Sequence, residues 1–91
     1  MIEEFNSVWD ALGFSTEEGA NLEARASLMR ELREIIRSRS WTQAVAAKQC
    51  RVSQPRLNDL MRGRIDKFSI DALVNMAASL GLRVSFELTA A

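Results

Sequence analysis

The stretch that decides the fold is TQAVAAKQCRVSQPRLNDLMRG, Thr42 to Gly63. It reads as two short helices joined by a tight turn, each with its own start signal. Thr42 can cap the first, with Gln43 opening it and Ala46 and Ala47 small enough for close packing. Ser53 can cap the second, which ends at Gly63, the residue type that tolerates the left-handed backbone just past a helix. An apolar residue precedes each cap and another sits four positions into each helix. The pairs Trp41 with Ala46 and Val52 with Leu57 have the spacing of a hydrophobic staple, which fixes the angle of chain entry.

Two capped helices with a small-residue face and a short turn are what a helix-turn-helix needs to seat its second helix in a DNA major groove. Thr42, Gln43, Ala47, Val52, Ser53, Leu57, Leu60 and Gly63 form a pattern that resembles the Xre/Cro/cI regulators, and the chain is most similar to their small HigA-like members, many of them antitoxins. The resemblance covers Arg25 to Gly81. It implies a helical DNA-binding domain, and a Gln at position 43 that braces the recognition helix and the DNA backbone. One departure stands in the turn, where Arg51 takes the place of the family's usual Gly. A left-handed Arg costs about 1–2 kcal/mol, so a slightly different turn is expected.

The composition is that of an ordinary globular domain, 47% apolar and 26% charged. Its length fits one domain with a modest core. No apolar run approaches a membrane span, and the acidic start MIEEFNS lacks the apolar stretch of a signal peptide, so a cytoplasmic protein is expected. The lone Cys50 falls at an apolar position and reads as a buried, inert thiol. With no histidine and no cluster of metal-ligating residues, neither catalysis nor a metal or cofactor is expected.

A net charge of zero would argue against a nucleic-acid partner, but the distribution of charge along the chain argues for one. Residues 1–24 hold six acids and no base, whereas residues 25–64 hold ten bases against three acids. A basic segment coincident with the motif is the electrostatic footprint of a DNA binder; a plain solvated face is the alternative for Arg25 to Arg39.

Outward from the motif, the sequence predicts an all-α bundle of about five helices with one C-terminal strand. Residues 1–24 form an acidic segment, 25–81 the DNA-binding domain and 82–91 the tail. Ser7 can cap a short first helix, favoured by Asp10 and stopped by Gly13. Ser15 and Glu18 have capping-box spacing for a long helix over residues 16–39, with Gly19 an anomaly near its start. Leu22, Ala26, Met29, Leu32 and Ile36 make its core stripe, widened by Leu28 and Ile35. After the loop RIDKF, Ser69 caps a last helix ending at Gly81, with Phe68 and Leu73 as a third staple and Ile70, Leu73, Val74, Ala77 and Leu80 as its apolar face.

The tail changes period. Leu82, Val84, Phe86 and Leu88 alternate with Arg83, Ser85 and Glu87, the pattern of a half-buried strand. A lone strand leaves its edge unpaired, so these four residues are expected at a homodimer interface, with a strand from another protein as the competing mate.

On a helical wheel, Leu57, Leu60 and Met61 share one side of the second motif helix. Pro55, Asn58, Asp59 and Arg62 lie opposite, flanked by Gln54 and Arg56. Gln54 and Asn58 can each bond adenine, Arg56 can bond guanine, and Pro55 offers an apolar edge to a thymine methyl. Asp59 is expected to pair with Arg56 or Arg62. Gln43, Ser53, Arg39, Lys48, Arg51, Arg62 and Arg64 are the candidate phosphate contacts. The expected function is sequence-specific binding of double-stranded DNA as a homodimeric repressor. The alternatives are an antitoxin that binds its toxin directly, using the acidic segment, and a helical interaction module with no DNA role.

Overall fold

The computed structural model describes residues 8–9 and 11–90. Among them are four α-helices, α1 (Thr16–Ser38), α2 (Gln43–Cys50), α3 (Gln54–Met61) and α4 (Ile70–Ser79), with a short 3-10 turn at Ile65–Lys67. Four complete helices stand among the described residues, and the expected fifth, the short first helix, lies only partly within them. Val8, Trp9 and Ala11 have helical backbone, but Ser7 and Asp10, the expected cap and first-turn acid of the fifth helix, lie outside the described residues.

Each helix starts where a side-chain oxygen can take an orphan backbone N–H. Ser15 accepts from the Glu18 N–H at 3.1 Å while Glu18 Oε1 accepts from the Ser15 N–H at 2.8 Å, a complete capping box. Thr42, Ser53 and Ser69 accept from the N–H groups of Val45, Arg56 and Ala72 at 3.2, 3.2 and 3.1 Å.

The ends of α2, α3 and α4 are as regular. After α3 the Gly63 N–H bonds the Leu60 carbonyl and the Arg64 N–H bonds that of Asp59. After α4, Gly81 and Leu82 do the same to Ala78 and Ala77. This is the paired closure of a Schellman motif, which needs a left-handed residue; Gly63 and Gly81 supply it at φ +73° and +79°. After α2 the identical closure runs from Arg51 to Lys48 and from Val52 to Ala47, with Arg51 at φ 60°, ψ 43°. The turn therefore keeps the shape a glycine would give it, and Arg51 carries the steric cost.

The core is one cluster. Met29, Leu32 and Ile36 of α1 meet Ala46, Ala47 and Cys50 of α2, Leu57 and Leu60 of α3, and Leu73, Met76 and Ala77 of α4, with Phe68 between. Trp41 and Val52 pack against its edge as their staple positions require. Gly19 is explained by Trp9: a Cβ on Gly19 would lie 2.9 Å from the Trp9 Cβ. Trp9 also donates from Nε1 to Glu23 Oε1 at 2.6 Å and meets Phe14 edge to face.

The expected strand is absent among the described residues: 82–90 carry no regular secondary structure. A strand exists through its ladder, and no second extended segment lies within the described chain to form one. The alternation survives only in part. Leu82 and Val84 pack against the core, while Phe86 and Leu88 are exposed.

Candidate nucleic-acid interface

Helix α3 is held by Leu57 and Leu60, both fully buried, and by Met61, half-buried against the same core. That anchoring turns Gln54, Pro55 and Arg62 to solvent and leaves Asn58 and Asp59 half-exposed. Pro55 fits because the first turn of a helix does not use the missing N–H. Among the described residues, the side chains of Gln54 and Asn58 make no hydrogen bond, so their amides are free for a base edge.

Arg56 behaves differently from its expected role as a base reader. Its guanidinium donates from Nη1 to the Lys67 carbonyl at 3.1 Å and lies 4.4 Å from the centre of the buried Phe68 ring. Half-buried, it is engaged intramolecularly, bracing the loop that follows α3. Arg25 of α1 does the same from the other side, donating from Nη1 to the carbonyls of Ile65 and Phe68 at 3.1 and 3.2 Å and from Nε to Asn21. Arg33 stacks against Gly63 so closely that a Cβ there would lie 2.5 Å from Nη1, and its buried Nε has no partner. The loop over residues 63–68 is thus held by hydrogen bonds from Arg25 of α1 and Arg56 of α3, with Arg33 packed against Gly63 at its start. Arg25 and Arg33 stand at i−4 and i+4 from buried Met29, a spacing that could have marked them as flanking the core stripe.

Asp59 pairs neither with Arg56 nor with Arg62. Its carboxylate is 3.9 Å from Arg64 Nε, because the Schellman turn folds residue 64 back over residue 59. At that distance and exposure the pair is weak, and Arg64 keeps most of its donors.

The remaining expected phosphate contacts are accessible. Gln43 opens α2 with its side chain exposed. Ser53 Oγ accepts the Arg56 N–H, which leaves its own O–H free to donate to a phosphate oxygen. Lys48, Arg51 and Arg62 are exposed, and Arg39 lies over the Trp41 ring at 5.4 Å. Cys50 is buried behind this surface, and burial pushes its thiol up from the ordinary value, away from nucleophilic chemistry.

Two capped helices at a fixed turn, the second anchored by its apolar side with polar residues outward, define the helix-turn-helix class of DNA-binding regulators. The chain belongs to the helix-turn-helix domain family, whose model matches residues 12–88, all four helices and the tail as far as Leu88. No curated protein matches it. No helix among the described residues is long and apolar enough to cross a membrane.

Proposed function

We propose that the protein is a sequence-specific regulator of transcription, a repressor of the Xre type close to the small HigA-like members, that reads duplex DNA as a homodimer. The observation that carries this is the division of α3, whose leucines hold the core while Gln54, Pro55 and Asn58 stand outward without internal partners. Gln54 and Asn58 take base edges, and Pro55 takes a thymine methyl. Gln43, Ser53, Arg39, Lys48, Arg51, Arg62 and Arg64 serve the phosphates. A homodimer joined through Leu82, Val84, Phe86 and Leu88 would present two α3 helices about 34–36 Å apart to a near-palindromic operator.

A second reading adds to the first. Val8 and Leu12 are 59% and 64% exposed, and Phe14 shares a surface groove with Glu17 and Glu18. Exposed apolar side chains in an acidic segment suit a basic protein, the role an antitoxin would need.

Fluorescence anisotropy on DNA from the protein's own promoter tests the main reading. With about 6–10 phosphate contacts, affinity falls about 10³–10⁵-fold between about 50 and 200 mM salt. Gln54→Ala or Asn58→Ala relaxes preference at one position per half-site by about 1–3 kcal/mol, whereas Arg64→Ala weakens all sequences alike. Affinity that is flat with salt, or equal for scrambled DNA, refutes the regulator reading.

A further inference from the structure

Beyond Leu82, whose N–H closes α4, no backbone group of residues 83–90 has a hydrogen-bond partner among the described residues. This segment, without regular secondary structure, runs along α1. Leu82 and Val84 lie beside a groove of about 230 Å³ whose floor is Leu28, Leu32 and Ile35 of α1 and Ala77 of α4, with Glu31, Arg83 and Ser85 also on its rim. Phe86 is 69% and Leu88 99% exposed, and Arg83, Ser85 and Glu87 are exposed too, although Arg83 and Ser85 also border the groove. One half of the apolar row is seated; in the other half Phe86 only edges α1 near Ala24 and Leu28, and Leu88 is bare.

We infer that the tails of two copies pair antiparallel, with the two-fold axis passing through Ser85. The inference rests on the homodimer reading above and fixes its register. In an antiparallel pair, residues directly opposite each other point to the same face, so each register makes a definite set of partners. Centring the axis on Ser85 opposes Leu82 to Leu88, Val84 to Phe86 and Arg83 to Glu87, each twice by symmetry. One face of the ribbon is then apolar throughout, and the other carries two ion pairs.

No neighbouring register does this. An axis between two residues opposes apolar to polar positions and turns one set to the wrong face. An axis on Val84 keeps the apolar face but leaves Arg83 opposite Ser85 and Glu87 opposite Gly81. An axis on Phe86 sets Ser85 against Glu87 and Arg83 against Thr89. The Ser85 register alone matches both apolarity and charge. It also brings Phe86 of the partner subunit beside Val84, at the open groove over Leu28 and Ile35, so the exposed half of one tail covers the seated half of the other.

Three single variants, Val84→Cys, Ser85→Cys and Phe86→Cys, test the register by oxidation and non-reducing electrophoresis. The wild type, with its buried Cys50, is the control. Only a residue on the axis meets its own copy within disulfide reach, so Ser85→Cys crosslinks and the other two do not. Separately, Arg83→Glu and Glu87→Arg each raise the dimer dissociation constant about tenfold or more, and the double variant returns it to within about threefold of wild type. Both residues are exposed, so circular dichroism of each variant should match wild type. Preferential crosslinking through position 84 or 86 overturns the register and leaves the homodimer standing. A sedimenting dimer that none of the three crosslinks removes the tail from the interface. Wild type that sediments as a monomer refutes the homodimer reading itself, and the register with it.

Discussion

Replacing Arg51 with glycine should make the protein more stable and a poorer DNA binder. Arg51 sits at φ 60°, ψ 43°, at the turn between α2 and α3. An L-residue held there costs about 1–2 kcal/mol, which glycine removes. Glycine also loosens the unfolded chain, an opposing effect of about 0.4–1 kcal/mol. The difference leaves Arg51→Gly more stable by about 0.5–1 kcal/mol. In a domain of this size that raises Tm by about 2–8 °C, measurable by far-ultraviolet circular dichroism. Arg51→Ala is the control, since it removes the cation and keeps the left-handed strain, so its Tm should not rise. Both variants should lose affinity for DNA and shallow the salt slope by about one contact per protomer. A glycine variant that is no more stable than wild type refutes the strain argument. One that binds DNA with undiminished affinity removes Arg51 from the phosphate contacts.

Gly63→Ala should lose about 2–4 kcal/mol in denaturant unfolding, because a Cβ meets both the left-handed backbone and the Arg33 guanidinium. In an Arg33→Ala background the loss should shrink by about 0.5–3 kcal/mol, and strict additivity would show that the two do not touch. Arg56→Ala should lower stability by about 1–3 kcal/mol through the Lys67 carbonyl bond and the Phe68 ring. Unchanged stability with lost sequence preference would instead restore Arg56 to the base readers. The hydrogen bond from the Ser15 backbone holds the Glu18 carboxyl below its usual range, so its contribution is present above the ordinary carboxylate pKa and fades as pH falls through the lowered value. Glu18→Gln, followed by helicity against pH, should flatten that part of the acid transition, and an unaltered profile would discount the capping box.

What was legible in the sequence was local chemistry. Ser15, Thr42, Ser53 and Ser69 could be read as caps because a cap is a side chain satisfying a backbone group three residues on. The stripe Leu22, Met29, Leu32, Ile36 could be read because helical period alone puts those residues on one face. Direction within a charged segment was not legible. Arg25 and Arg56 count as cations in any tally, yet both bind carbonyls of the loop after α3, a meeting that depends on how three elements pack. Asp59 found Arg64 through a turn geometry that a helical wheel stops short of. Gly19 is a poor helix residue by propensity, and only the Trp9 side chain lying against it explains its place. The tail's alternation was plain, but a strand is a relation between two segments, and one chain supplies only one of them.

The separation of labour on α3 bears on how operator preference can change over time. Gln54, Pro55 and Asn58 support neither the core leucines nor the arginine-braced loop, whereas Arg56, in their midst, does. Substitutions at the first three positions can therefore drift or be selected with little folding penalty, and under the proposed reading, in which these residues meet base edges, one scaffold could acquire new target sites by small steps. Position 56 would be closed to that route, because its side chain holds the Lys67 carbonyl and the Phe68 ring. A lineage that altered it would first need another means of holding the loop, which makes Arg56 a constraint on the direction in which new specificities arise.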